Sequence, residues 1–533
     1  MDSGNSEQNN RRIAILYQRN AAPDEQLVAL LEQELSNAGY SVFIDRHLEV
    51  GMAWAKEIER QIREADAVIP LISQASMHSE MLAFEVEHAH DVAQATNGRP
   101  ILLPVRIDYT GPLNEPMAGI LEPIQYLLWD GEHANEGLVA ELVYALKHLS
   151  FPEAATASLP EKGKRLTPKL TSKLLGSQSA APKTALEAVS TLPRVLESVG
   201  GAVPLDSGFY LPRPVDEQLL DALKQHDSII LIKGARQMGK TSLLARGLAA
   251  ARESGDRVAS IDLQKLSGSN LQSANTLYFT LCESLADQLG LAVLPSETWD
   301  PNRGANSNFE RYIRREVLGS IDGNLVWGLD EIDRLFGCEF GSEVFGLFRS
   351  WHNERALEPA GPWTKLTLVI AYATEAHLFI TDMNQSPFNV GTRLEVDDFS
   401  NIQVAEMNRR YRSPLKTSSE VDRLVKLVGG HPYLARRALH ELVTDPTLKF
   451  NQFEETADQD EGIYGDHLRR ILVLLAKDPE LLEVVRGVLD GMPCPTPESF
   501  YRLRSAGVVR GGSQNDVRPR CRLYQLYLKR HLR

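Results

Sequence analysis

The sequence predicts an α/β chain of several domains, built on parallel sheets with helices on both faces. Three observations carry this. Its 533 residues are about three and a half times the ~150 of a usual domain. Hydrophobic residues make up 43% and charged residues 24%, which excludes a mainly disordered, collagen-like or disulfide-scaffold chain. Strand-sized apolar runs alternate with helix-period segments twice along the chain.

After a polar tail at residues 1–10, the first alternation fills residues 11–150. A short buried strand is expected at 12–17 (RIAILY), then a helix at 25–38 stopped by Gly39, then a strand at 40–45 (YSVFID). A loop reaching Gly51 leads to a helix at 54–64. A strand at 67–72 (AVIPLI), a helix at 79–95 and a strand at 101–107 (ILLPVRI) follow.

Residues 151–205 change character: six prolines, eleven serines or threonines and one aromatic, Phe151. Such a stretch buries too little apolar surface to offset its ordering entropy and reads as a flexible linker, with one short helix near 185–196. The second alternation, 206–397, places strands at 228–233, 258–263, 325–329, 366–373 and 392–396. From Asn401 the pattern is helical, giving a lid at 398–455 and a last module at 456–533. That module reads as helices at 481–489 and 499–506, a break at Gly507, a hairpin at Gly511 and Gly512, and an amphipathic helix at 523–532. No repeat of ~20–50 residues is visible, so no sensor array is expected.

No apolar run approaches the ~18 residues of a membrane span, and residues 1–12 lack the apolar segment of a leader. Cys282, Cys338, Cys494 and Cys521 form no CxxC pair, so a cytoplasmic protein with reduced thiols and no metal knuckle is expected. The net charge of −14 is uneven: residues 1–150 hold 23 acidic and 10 basic side chains, residues 496–533 nine basic and two acidic. The basic end leaves room for nucleic acid, but docking on an acidic neighbour is the reading favoured.

The strongest motif is GARQMGKT, from Gly234 through Gly239 and Lys240 to Thr241. It satisfies G-x-x-x-x-G-K-S/T, follows the strand SIILIK and opens a helix with Ser242. In that context the glycines let backbone N–H groups curl round phosphates and the helix end adds positive potential. Lys240 reaches the β/γ-phosphates and Thr241 ligates Mg²⁺. A partner strand ending in acids is supplied by LVWGLDE, where Asp330 would hold Mg²⁺ and Glu331 would orient the attacking water. Asp333 is a nearby acid without a role. The next strand ends at Thr374, placed to sense a γ-phosphate or simply to make a turn.

YLPRPVD from Tyr210 to Asp216, GARQMGKTS, GLDEID and LVGGHPY from Leu427 to Tyr433 resemble the bacterial AAA-like ATPases of the STAND class, over residues 206–533. The resemblance implies ATP or ADP with Mg²⁺ as ligands and adenine packed on the Gly430-His431-Pro432 turn of a helical lid. It also implies a closing winged helix with an intramolecular regulatory role. The Met-His-Asp triplet that latches ADP in many such proteins is absent.

Residues 11–150 resemble a TIR domain of flavodoxin-like fold. The resemblance rests on YSVFID with the loop to Gly51 and Trp54, on ADAVIPLIS, and on the Ser79-to-Glu85 spacing. TIR enzymes carry Ser-x-Trp-x-x-x-Glu-Leu there; this chain has Met81 in place of Trp and Val86 in place of Leu. The resemblance implies NAD⁺ as substrate and Glu85 as the catalytic carboxylate, with Tyr17, Asp45, Trp54 and Ser79 as pocket candidates. One carboxylate suits the chemistry, because breaking the nicotinamide–ribose bond creates an oxocarbenium-like centre. The plainer reading makes Glu85 a solvent-facing helix residue, as Glu80 and Glu87 share the helix, 500° and 200° away on a wheel of ~100° per residue.

Together these features predict an ATP-regulated immune effector that self-associates through TIR and ATPase domains and hydrolyses NAD, in bacterial antiphage defence. Its trigger, a ligand or a sensor protein, is not named by the sequence. A non-catalytic TIR adaptor and a nucleic-acid-binding winged-helix ATPase are the alternatives.

Overall fold

The computed structural model describes residues 11–45, 51–96, 98–113, 117–131, 134–148, 196–373 and 387–532. The tail, most of the expected linker with its helix, and Thr374 lie outside them.

Apolar runs buried on both faces assemble the first sheet. Its elements are β1 (Arg12–Leu16), α1 (Ala22–Asn37), β2 (Ser41–Phe43), α2 (Met52–Glu64), β3 (Ala67–Ile72), α3 (Glu80–Ala95), β4 (Ile101–Leu102), β5 (Val105–Ile107), α4 (Met117–Leu121), β6 (Leu127–Trp129) and α5 (Asn135–Lys147). The order is β2-β1-β3-β5-β6, all parallel, with β4 also on β3. All six residues of β3 are buried, which is why its sequence does not alternate. The single strand expected at 101–107 is two: Pro104, between them, has no N–H for the ladder, and each piece pairs with β3 separately. The three-residue β6 carries no periodicity to read.

Residues 196–205, expected in the linker, pack on the second domain instead. Val203 N–H donates to Ser242 Oγ (2.8 Å), and Arg246 donates to the Val203 and Pro204 carbonyls (3.0 and 2.7 Å). The backbone polar groups of this stretch are thus served by the helix beneath it. Composition averaged over the whole stretch hides this ordered end.

The second domain runs α6 (Pro214–Lys224), β7 (Ile229–Lys233), α7 (Lys240–Glu253), β8 (Arg257–Asp262), α8 (Ala274–Leu289), α9 (Pro295–Thr298), α10 (Ala305–Tyr312), β9 (Leu325–Asp330), α11 (Gly341–Leu357), β10 (Leu366–Tyr372) and β11 (Thr392–Glu395). Its parallel sheet has the order β11-β7-β10-β9-β8. The P-loop therefore leaves a strand inside the sheet, and the acids after β9 emerge at the same edge, one strand away across β10.

The rest is mostly helical: α12 (Asn401–Arg410), α13 (Ser418–Val428), α14 (Pro432–Thr444), α15 (Phe450–Thr456), α16 (Gly465–Ala476), α17 (Pro479–Leu489) and α18 (Pro497–Ser505). The hairpin β12 (Val509–Ser513) and β13 (Asp516–Pro519) and a final α19 (Arg522–His531) follow. Ser400, Thr417 and Thr496 each cap a helix start by accepting the N–H three residues on.

One face of the first sheet buries its own cluster around Ile13, Leu31 and Leu142. The other face belongs to an apolar cluster that runs from Leu16, Trp54 and Leu82 into Leu468, Leu472 and Leu475 of α16. Helices α2 and α3 pack on α16, so the first domain and the C-terminal helices share a core. Among the described residues no helix is long and apolar enough to cross a membrane.

Candidate functional site

The loop between β7 and α7 bends through Gln237 (φ 61°) and Gly239 (φ 90°). Gly239 is required here, since its φ is left-handed and a Cβ would lie 3.2 Å from the Arg213 guanidinium. Arg213 in turn donates to the Met238 carbonyl (2.9 Å), fixing the loop. At Gly234 a Cβ would meet Val396 at 3.0 Å, so the loop packs closely on the chain after β11.

Lys240, buried at the start of α7, donates to the Ala235 carbonyl (3.2 Å). Burial lowers its pKa, and Glu331, Asp333 and Asp330 oppose that. Thr241 hydrogen-bonds Asp330, whose carboxyl burial pushes up. Glu331 has a left-handed backbone (φ 50°) and is likewise raised by burial, with Lys240 and Arg236 pulling it back. Asp333 has a structural role: it accepts the Ala373 N–H (2.8 Å), tying the loop after β9 to the end of β10. Ser242 is occupied too, as the acceptor for Val203.

Several of these residues, with Glu331 among them, line a cavity of about 390 Å³. Gly239, Lys240, Thr241, Ser242 and Glu331 lie on one side, and Phe209, Leu211, Phe399 and Met407 give an apolar side. Pro432 also lines the cavity, at the start of α14. The turn before it needs glycine: Gly430 has φ 78°, and a Cβ there would sit 2.3 Å from the Phe399 carbonyl oxygen. A cavity with helix-end N–H groups and a lysine at one end and an apolar chamber at the other suits phosphates attached to a planar base.

In the first domain Glu85 is buried, at 4% exposure, on α3. Asp45 accepts from Arg19 Nε and Nη2 (2.9 and 2.8 Å), and Arg19 lies 6.0 Å from the Trp54 ring centroid. Burial lowers the Arg19 pKa, but Asp45, Tyr17 and Glu85 more than offset it. The structure thus gathers Tyr17, Asp45, Trp54 and Glu85 around Arg19, which sequence reasoning missed. Its one signal is position, just past the carboxyl end of β1, where ligands of open α/β sheets bind. Burial, then Asp45 and Asp466, push the Glu85 carboxyl well above its ordinary pKa.

Ser79 caps α3 by accepting the Leu82 N–H (2.9 Å), and donates to Asp466 of α16 (3.1 Å). The solvent-facing reading of Glu85 is corrected, and the two other glutamates of the helix are also held by partners. Glu80 pairs with His467 (3.1 Å) and Arg470 (3.0 Å), and Glu87 accepts from Gln264 (2.8 Å). Among the described residues no group of three or more His, Cys, Asp or Glu side chains could hold a metal ion.

Residues 13–143 match the TIR domain family and residues 198–530 the AAA-like domain family. An uncharacterized WD repeat-containing protein of Synechocystis is 23% identical over 269 residues, covering 49% of this chain and 22% of its own length. The chain thus spans about a fifth of that relative. Among solved structures, the Walker-type ATPase PABY2304 of Pyrococcus abyssi aligns with 17% identity and a TM-score of 0.44, over 60% of this chain and 95% of its own. The Aeropyrum pernix ORC1 protein in complex with DNA aligns with 16% identity and a TM-score of 0.33, over 62% and 94%. With its P-loop domain matched over more than half its length, the chain belongs to the AAA-like domain family and carries a TIR domain ahead of that ATPase domain.

Proposed function

We propose that this chain is an ATP-regulated, self-associating TIR enzyme that hydrolyses NAD. One observation carries the reading: the buried Glu85 shares an electrostatic cluster with Arg19 and Asp45, and Arg19 also faces Tyr17 and the Trp54 ring, at the carboxyl edge of a parallel sheet. When the nicotinamide–ribose bond breaks, its electron pair leaves with the nicotinamide nitrogen and positive charge develops at the ribose carbon and ring oxygen. An ionised Glu85 stabilises that charge until water adds, and Trp54 gives the pocket a flat apolar wall.

In the ATPase domain Lys240 takes the β/γ-phosphates and Glu331 orients the attacking water. The Thr241 hydroxyl and Asp330 carboxylate, hard oxygen donors already in contact, fit Mg²⁺ and would hold it; the ion supplies charge neutralisation on the phosphates when bound. Pro432 closes on the adenine as part of a helical lid, α12 to α15. The elements from α16 to α19 act as a regulatory winged helix. Self-association raises the local concentration of TIR domains, and the resemblance to bacterial STAND proteins supports NAD depletion as an antiphage response.

A non-catalytic adaptor differs only in what Glu85 does. The nucleic-acid reading is weakened by the basic C-terminus, where Arg502 pairs with Asp478 (2.6 Å), Arg520 with Asp398 (2.5 Å) and Arg530 with Asp458. Glu85→Gln keeps shape and hydrogen bonding and removes the charge. It should abolish nicotinamide release while ATP binding persists; wild-type release in this variant sinks the catalytic reading.

A further inference from the structure

The first turn of α3 makes polar contacts with α16 that a simple apolar packing does not need. Asp466 accepts from Ser79 Oγ (3.1 Å) and from the Met81 N–H (3.1 Å), an amide that no helix carbonyl serves. Glu80 meets His467, next to Asp466, and Arg470 one turn further along α16, and hydrogen-bonds Tyr433 of α14. His467 passes the contact on to Tyr524 (2.7 Å), and the His467 ring lies 6.5 Å from the His431 ring, which hydrogen-bonds the Arg236 backbone of the P-loop. Lys477, at the end of α16, pairs with Glu59 of α2 (3.0 Å) and lies 4.8 Å from the Phe84 ring centroid.

The same glutamate faces the nucleotide site. Glu80 lines the P-loop cavity, and with Arg470 it lines an adjoining cavity of about 240 Å³ walled by Arg236, Gln237 and Glu331. We propose that the start of α3 is a latch, closed on α16 in this state and opened when the phosphates of a nucleoside triphosphate draw Arg470 away from Glu80. The inference rests on the reading above, in which the P-loop takes ATP and Glu85 cleaves NAD.

Physical chemistry gives each step a direction. A triphosphate brings several negative charges against the wall that holds Glu80, in a water-poor cavity where like charges repel strongly. A phosphate is a better bidentate partner for Arg470 than a single carboxylate oxygen. Without Arg470, Glu80 keeps His467 and Tyr433 but loses its permanently charged partner, and leaving for water relieves that loss. Its departure takes Ser79 and Met81 off Asp466. In the closed state Glu85 is sealed from solvent and faces Asp466, and burial disfavours the charged carboxylate that a cation would need. Opening removes both constraints together.

Hydrogen exchange of amides 80–86 in the full chain tests this, with nicotinamide release measured in parallel. ATP at a concentration that fills the wild type but not Lys240→Ala should speed exchange there at least tenfold in the wild type and leave it unchanged in the variant. Asp466→Ala and Glu80→Gln, which break the latch from opposite sides, should each speed it at least tenfold without nucleotide, and Asp466→Ala should raise nucleotide-free nicotinamide release about tenfold. Unchanged exchange in both variants overturns the latch, as does slow exchange in wild-type protein shown to hold ATP. Fast exchange with ATP but no nicotinamide release supports the latch and rejects the NAD reading alone. If the chain binds no ATP, the nucleotide reading fails and the triphosphate trigger with it, while fast exchange in the two variants still upholds the closed contact.

Discussion

Lys240 and Glu331 stand at opposite ends of one chemical role. In the proposed role Lys240 would supply charge-assisted hydrogen bonds to phosphate, each worth about 1.5–3 kcal/mol, so Lys240→Ala should weaken ATP binding roughly 10- to 100-fold in a titration. If Glu331 orients the attacking water as proposed, Glu331→Gln should leave binding intact while phosphate release slows. The P-loop residues were legible because they are contiguous and each has a backbone reason to be there. Glu85 was legible through one spacing and a resemblance. Arg19 and Asp466 were not, because they reach Glu85 only through the fold. Asp24 gives a further test at this scale. It is fully buried, and burial raises its carboxyl to about 6, partly opposed by a hydrogen bond from Ser73. A carboxyl raised on folding stabilises the fold below its ordinary pKa near 4, and that contribution is lost as pH rises through about 6. Hydrogen exchange along α1 should therefore quicken between pH 4 and 7 in the wild type beyond what Asp24→Asn shows. Equal pH dependence in the two would count against a raised Asp24.

At the scale of elements, the two parallel sheets were readable because strands buried on both faces are short uninterrupted apolar runs bounded by turn residues. What escaped was set by neighbours. Pro104 splits one expected strand into β4 and β5, β6 is too short for a period, and the order of 196–205 comes from its contacts with α7. The helical character of the chain from α12 onward was legible in its pattern, but nothing in the sequence of α16 announced that it carries a second domain. The turn between α13 and α14 is the element most sensitive to a single methyl. Phe399 N–H donates to the Gly430 carbonyl (2.8 Å), and Gly430 holds a left-handed backbone against Phe399. Gly430→Ala combines an unfavourable φ, about 1–3 kcal/mol, with a backbone clash. It should lower the unfolding temperature and weaken ATP binding by displacing Pro432. A variant as stable and as tight-binding as the wild type would remove the turn from the nucleotide site.

For the whole molecule, the TIR domain docks its Glu85-bearing helix and its neighbour α2 on the C-terminal helices, through a shared apolar core with charges at its margin. Sequence alone predicted a loosely tethered TIR domain; it could not show where that domain rests, since docking depends on residues from both ends of the chain. The nearness of Glu80 to the P-loop cavity gives the two domains a common wall, the route by which the proposed latch would couple the two sites. The most direct test of the account is nicotinamide release from NAD by the purified full chain, with and without ATP, beside Glu85→Gln. The account predicts little release without ATP, at least tenfold more with it, and none from Glu85→Gln in either condition. Release that is equal with and without ATP, or that persists in Glu85→Gln, would contradict it.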